Sequence, residues 1–254
     1  MPSIRDMIAD GGRAFGTMIF EFYVPGIAQL SLAAGADFLV YDMEHAGAGI
    51  DTIKQQMAYA RGLAITPIIR VPNSEYHFIA RTLDCGAKGI MVPMVETPEQ
   101  AQAIVQAAKY PPVGRRGAAF GVAHDDYSAG AVADKIAAAN RDTLLIAQIE
   151  SGLGARNVEA IAATPGIDVL WLGHFDLTNS LGIPGQFEHP DYLRVRADIV
   201  AAARKHGKAA GFMAADEAWA RAYLAHGFNM IAYGLDHHLF QRALADGLAA
   251  LRSK

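Results

Sequence analysis

The sequence predicts a closed (β/α)8 barrel of the TIM type, preceded by a short N-terminal helix. Three observations predict it. Apolar, strand-forming segments alternate strictly with helical segments, which argues a parallel sheet with helical crossovers. Eight such units fit within 254 residues, the size of one closed barrel. Several strand segments also end in charged or amide residues, at the edge where a parallel α/β protein builds a site. Residues 1–254 are read as one domain.

The elements follow in order. Ser3 caps a short helix that ends at Gly11-Gly12. Ala14 to Phe22 is the first strand, and Pro25 to Ala34 a helix with proline in its first turn and Gly35 beyond its end. Asp37 to Tyr41 is the second strand, followed by a helix from Asp51 to Arg61. Ile65 to Val71 is the third, followed by a helix from Glu75 to Cys85. Gly89 to Val95 is the fourth. Thr97-Pro98-Glu99 then opens a helix with a cap, a proline at its first position and early acid, running to about Tyr110. Pro111 to Gly130 interrupts the rhythm as a long Pro/Gly-rich loop, a length that is usually functional or mobile. Ala131 to Asn140 is helical, Leu144 to Ile149 the fifth strand and Gly154 to Ala163 a helix. Ile167 to Leu172 is the sixth strand, followed by a second Gly/Pro-rich loop from Thr178 to Pro190 and a helix from Asp191 to His206. Lys208 to Met213, Asp216 to Ala225, Met230 to Gly234 and His238 to Arg252 complete the alternation.

Composition narrows the function classes. Hydrophobic residues make up 52% of the chain, enough for a large core. A formal net charge of -4 offers no basic footprint for nucleic acid. The lone Cys85 excludes an intramolecular disulfide and fits a reducing compartment. No apolar run reaches membrane-spanning length, and Met1-Pro2-Ser3-Ile4-Arg5-Asp6 has no signal-peptide core. A soluble, cytoplasmic protein without membrane or nucleic-acid partners is expected. No Gly-x-Gly-x-x-Gly turn, P-loop or Gly-x-Ser-x-Gly elbow occurs. Lys88 and Lys208 precede strands, at the wrong end for a Schiff base.

The strand ends carry the chemistry. The second strand runs from Phe38 into Asp42, Glu44 and His45. Arg70 ends the third; its planar fork suits a carboxylate or an enolate oxygen, or else a salt bridge to Asp42 or Glu44 that closes the barrel top. Gln148 and Glu150 end the fifth strand, and Asp176 follows the sixth. Glu150 and Asp176 lie on neighbouring staves, where two carboxylates suit Mg²⁺ or Mn²⁺; capping a following helix is the alternative for each. His174 could lie near the site, and Asp84 by itself reads as a surface residue. Phe212 and Met18 could shape the pocket or belong to the core.

These residues, taken together, resemble the class II pyruvate-dependent aldolases of the HpcH/HpaI family, the metal-dependent 2-keto-3-deoxy-acid aldolases. The matching pieces are Asp42-Met43-Glu44-His45-Ala46, Pro67-Ile68-Ile69-Arg70, Leu83-Asp84-Cys85-Gly86-Ala87 and Val92-Pro93-Met94-Val95. Tyr110-Pro111-Pro112, Arg116-Gly117, Gln148-Ile149-Glu150, Gly173-His174-Phe175-Asp176-Leu177, Leu181-Gly182 and His189-Pro190 continue the match in order. The resemblance implies reversible cleavage of 4-hydroxy-2-keto acids to pyruvate, or a related 2-keto acid, and an aldehyde through an enolate. It implies a divalent cation on Glu150 and Asp176: Mg²⁺ or Mn²⁺ first, with Co²⁺ or Zn²⁺ as alternatives. It further implies that Arg70 holds the C2 oxygen and that backbone amides of Phe175 and Asp176 take the substrate carboxylate. Gln148 would lie beside the pocket and Asp42 and Glu44 around it. His45, with Asp84 supplied across a subunit contact, would serve the acid/base step through water. The implied assembly is a homo-hexamer, a trimer of dimers exchanging the last helix.

The sequence departs from the family pattern at three places. His174-Phe175 replaces a small pair before Asp176, Met18-Ile19-Phe20-Glu21-Phe22 lacks the usual tryptophan, and Gly117 to Asp126 differs from the common loop sequence. The alternatives are a related lyase acting on a citrate- or malate-type thioester, against which the absence of a basic groove for a CoA phosphate counts, and a non-catalytic keto-acid-binding barrel.

Overall fold

A computed structural model describes residues 3–253; Met1 and Pro2, within the opening stretch read as lacking a signal-peptide core, and Lys254 lie outside the described residues. The strands are β1 (Ala14–Ile19), β2 (Phe38–Asp42), β3 (Thr66–Arg70), β4 (Gly89–Val92), β5 (Leu144–Ile149), β6 (Val169–Leu172), β7 (Ala209–Ala214) and β8 (Met230–Leu235). They pair in sequence order, every pair parallel, and β8 closes on β1. The predicted closed barrel is therefore the observed one. Around it lie α1 (Ile4–Ile8), α2 (Ile27–Ala33), α3 (Ile50–Ala60), α4 (Tyr76–Asp84), α5 (Pro98–Ala108), α6 (Val132–Asp142), α7 (Gly152–Arg156), α8 (Val158–Ala162), α9 (His174–Ser180), α10 (Pro190–Lys205), α11 (Glu217–Ala225) and α12 (Asp236–Arg252). Among the described residues no helix is long and apolar enough to cross a membrane.

Period-two alternation splits the core in two. One face of each strand packs outward against the helices, through residues such as Leu39, Tyr41, Ile69, Leu145, Leu170 and Phe212. The other fills the barrel with Phe38, Val40, Ile68, Met91, Ile146, Val169, Trp171 and Met230. Large and small residues interlock there: a Cβ on Gly211 would lie 2.1 Å from the Trp171 ring, and one on Gly16 would meet the Phe38 ring at 2.7 Å. Each fully buried side chain of this size contributes about 1.5–3 kcal/mol. The same parity carries upward, so that Asp42, Arg70 and Gln148 stand on the inward face directly above the apolar filling.

The elements depart from the sequence reading where side chains recruit backbone groups. β1 stops at Ile19 rather than Phe22, because the next three amides donate to Asp236. β4 stops at Val92 rather than Val95; Met94 takes a left-handed φ of 52° and donates its N–H to Glu150. The helix read as Gly154 to Ala163 is broken at Asn157, whose amide donates to the Glu96 carbonyl at 2.8 Å. α9 directly follows β6, covering the strand tip and running into the first residues of the stretch read as a loop from Thr178; its N-cap is Gly173, with no side-chain cap to announce it. The last helix begins at Asp236, two residues before the expected His238.

Candidate active site

The chain turns sharply after β2 because Asp42 folds the turn around its own carboxylate. It accepts the N–H of His45 at 2.7 Å and of Glu44 at 3.3 Å. The same fully buried carboxylate accepts from Arg70 Nε at 2.5 Å. Glu44 Oε2 sits 3.2 Å from Arg70 Nη1 and 3.7 Å from His45 Nε2. The salt bridge to Asp42 and Glu44 considered for Arg70 is thus present. It also orients the fork, which is 6% exposed and leaves Nη2 without a hydrogen-bond partner among the described residues.

Across the mouth, Gln148 Nε2 donates to Glu150 Oε2, and the Met94 N–H reaches Glu150 Oε1 at 2.7 Å. Gly173 makes room for both side chains, since a Cβ there would lie 2.3 Å from Glu150 Oε2 and 3.1 Å from Gln148 Nε2. Asp176 follows in the first turn of α9, exposed to solvent, with the exposed Phe175 before it. The first-turn amides of α9 have no acceptor within the helix, as at any helix start.

Electrostatics ties the two halves together. Burial pushes the Glu150 carboxyl up to about 7, with Glu44 and Asp176 adding like charge against the hydrogen bonds from Gln148 and Met94. Burial also pushes Glu44 to about 7; Arg70 opposes this, and Asp42 and Asp176 reinforce it. Asp42, Glu44, Glu150 and Asp176 therefore share one space with the Arg70 guanidinium. Oε1 of Gln148 and Oε2 of Glu44 also lack hydrogen-bond partners there among the described residues.

This donor set fits a hard divalent cation: carboxylate and amide oxygens in an excess of negative charge, with a close-packed glycine clearing the space beside Glu150. Among the described residues no group of three or more His, Cys, Asp or Glu is arranged as a complete metal cage. A cation held by two carboxylates keeps other positions for water and substrate oxygens.

Asp84 is not brought to this site within one chain. It ends α4 and accepts from Arg116 Nη2 at 2.5 Å, while His45 stands at the mouth with its side chain 54% exposed. His174 points away into an aromatic cluster with Phe187, Phe212 and Trp219, and burial pushes it down to about 4, so it is a neutral core residue. Phe212 lies on the outward face of β7, stacked on Tyr223 at 3.5 Å, and Met18 fills the barrel interior; both are core. Sequence reading gave no role of their own to Met94, Gly173, Phe20, Tyr23 and Asp236. The Tyr23 hydroxyl donates to the Asp42 carbonyl at 2.5 Å. Only Gly173, a glycine directly after a strand, carried a readable signal.

Residues 20–243 match the family described as HpcH/HpaI aldolase/citrate lyase. The chain is 42% identical over 210 residues to a 5-keto-4-deoxy-D-glucarate aldolase of Klebsiella pneumoniae, covering 83% of this chain and 81% of that one. It is 39% identical over 227 residues to a 2-keto-3-deoxy-L-rhamnonate aldolase of the same organism, covering 89% and 85%. Among solved structures, an HpcH/HpaI aldolase from Desulfitobacterium hafniense superposes with a TM-score of 0.93 at 29% identity, covering 100% of this chain and 98% of that one.

Proposed function

The chain belongs to the HpcH/HpaI aldolase/citrate lyase family and is a carbon–carbon lyase of the aldolase type, and we propose that it cleaves 4-hydroxy-2-keto acids reversibly to pyruvate, or a related 2-keto acid, and an aldehyde with the help of a divalent cation. One observation carries the reading: carboxyl groups crowd at the C-terminal ends of the strands around Arg70, whose Nη2 has no hydrogen-bond partner among the described residues.

Glu150 and Asp176 would hold the cation; Mg²⁺ or Mn²⁺ suits the oxygen donors best, with Co²⁺ or Zn²⁺ as alternatives. When bound, the cation supplies Lewis-acid polarisation of the keto-acid oxygens. Arg70, pinned by Asp42 and Glu44, presents Nη2 to the C2 oxygen. That bond strengthens as negative charge grows on the oxygen during enolate formation. The substrate carboxylate takes the free amides of Phe175 and Asp176 at the start of α9, and Gln148 borders the pocket and orients Glu150. His45, at the mouth, moves the hydroxyl proton through water. Asp84 would reach the His45 of another subunit and fix its tautomer.

The assembly we propose is a homo-hexamer, a trimer of dimers exchanging α12. Support comes from that helix, where Phe240, Leu244, Leu248 and Leu251 recur at helical spacing with exposed side chains and only Asp236 is buried. The domain spans residues 1–254, and a cytoplasmic location fits the single cysteine and small-acid chemistry.

The test is pyruvate release from a panel of 4-hydroxy-2-keto acids by chelator-treated protein, with each divalent ion added back. We expect no release from the stripped protein and restoration by Mg²⁺ or Mn²⁺. Release that ignores chelation removes the cation from the proposal, and no release from any substrate removes the aldol cleavage.

A further inference from the structure

Beyond Ile19 the chain leaves the sheet, and the amides of Phe20, Glu21 and Phe22 have no strand to donate to. All three donate to one carboxylate. Asp236, the first residue of α12, accepts from Phe20 N at 3.1 Å, Glu21 N at 3.0 Å and Phe22 N at 2.7 Å, and from His237 N at 2.9 Å. Asp236 is 6% exposed. Burial pushes its carboxyl up, but the four amides outweigh it, Phe22 foremost, and hold it below its ordinary range.

This clamp sets the position of the Phe20 ring. The ring is half-buried above the barrel filling, and Arg70 Cζ lies 5.3 Å from its centroid. The guanidinium is thus bounded three ways: Asp42 on Nε, Glu44 beside Nη1 and the face of the Phe20 ring toward Cζ, with Nη2 left without a hydrogen-bond partner among the described residues.

We propose that Phe20 is a positioning residue for Arg70 and that Asp236 is the residue that holds Phe20 in place. The inference rests on the reading of Arg70 as the residue that meets the C2 oxygen. A guanidinium fixed only along its edges can still hydrate its face and tilt. An aromatic face removes that water and favours one plane of the cation. It also lowers the local dielectric around Nη2, which strengthens a hydrogen bond to a developing oxyanion. The side chain that controls a group on the third strand therefore sits beyond the first, and its anchor lies at the start of the last helix.

The experiment follows exchange of the pyruvate C3 protons in heavy water, catalysed by the full-length protein loaded with Mg²⁺ or Mn²⁺. Phe20→Leu is expected to lower kcat/KM for exchange about ten-fold, whereas Phe20→Tyr, which keeps the ring, stays within about two-fold of the parent. Asp236→Asn should follow Phe20→Leu, because its amide NH₂ would face the backbone donors it must receive. A space-filling role would be met by leucine, so parent-like exchange in Phe20→Leu overturns the inference, as does a Phe20→Tyr variant no better than Phe20→Leu. Parent-like exchange in Asp236→Asn overturns the role of Asp236. A crystal structure of the parent with pyruvate in which the Phe20 ring lies away from Arg70 overturns the proposal even where a variant fails to fold. A parent without any exchange overturns the functional reading and this inference with it; exchange by a parent that Phe20→Leu matches overturns this inference alone.

Discussion

At the base of the barrel Asp168 accepts from Arg5 Nε at 2.8 Å, from Arg5 Nη2 at 2.5 Å and from the Leu145 N–H at 2.9 Å. Asp37 likewise accepts the Phe15 N–H at 2.8 Å, and Asn229 takes the Ala210 N–H at 3.0 Å while donating to two carbonyls. At the mouth, Glu44 and Glu150 are pushed to about 7 by burial, and four acids face one arginine. Both ends bury carboxylates above or below the same apolar filling. At the base Asp168 is matched by Arg5 and a strand amide and Asp37 by a strand amide, and each ties neighbouring staves together. At the mouth the compensation is incomplete, and that deficit can be met by a cation and a substrate. Satisfied base and under-compensated mouth are the division of labour expected of a barrel enzyme.

The contrast breaks most visibly at Glu150. Glu150→Gln is expected to lower metal-dependent turnover about a thousand-fold, from loss of one of the two carboxylates proposed to hold the cation. Its melting temperature should not fall, because a neutral amide replaces a carboxylate that burial disfavours. Turnover with several divalent ions and thermal unfolding read the two halves of this prediction. Parent-like turnover with a lowered melting temperature would place Glu150 with the structural acids.

The reverse pattern is expected at the base. Asp168→Ala leaves the Leu145 N–H unpaired and Arg5 without its partner, at about 2–4 kcal/mol of stability. Arg5 is partly exposed, which keeps the ion-pair share of that figure small. Denaturant unfolding measures the loss, and kcat per folded molecule should stay at the parent value. A fall in kcat without a fall in stability would mean that the two ends are coupled.

The sequence made the staves legible because the strands other than β1, whose Phe15 is exposed, are largely buried on both faces, so apolar runs mark them. It also displayed most residues of the mouth, since Asp42, Arg70, Gln148 and Glu150 each stand at a strand end. It could not display what long-range contacts create. Phe20 to Phe22 look like more strand until Asp236, far along the chain, takes their amides. Met94 looks like the tail of β4 until Glu150 receives its N–H. Asp84 reads as a surface acid at a helix end; its contact with Arg116 depends on how the long loop after α5 folds back. His174, a polar residue beside Asp176, reads as one that could lie near the site, although its ring joins the aromatic core instead.

The smallest expected effect concerns Lys109, a buried cation at the base that carbonyls satisfy. Its Nζ donates to the Asn140 carbonyl at 2.8 Å and the Thr143 carbonyl at 2.6 Å, and burial lowers its pKa from 10.5 to about 8. Between these two values the unfolded chain holds a proton that the folded chain has released. Unfolding free energy attributable to Lys109 therefore rises with pH across that window, by roughly 1–2 kcal/mol between about pH 8 and 10. Buried tyrosines work in the opposite direction above this range: burial raises Tyr41, which must stay protonated to fold. The informative quantity is thus the difference in urea unfolding between the parent and Lys109→Met. Parent stability should gain on the variant as pH climbs from 8 to 10. A difference that stays flat would mean that the two carbonyls hold the ammonium as well as water does, and that the base satisfies even its isolated charge in full.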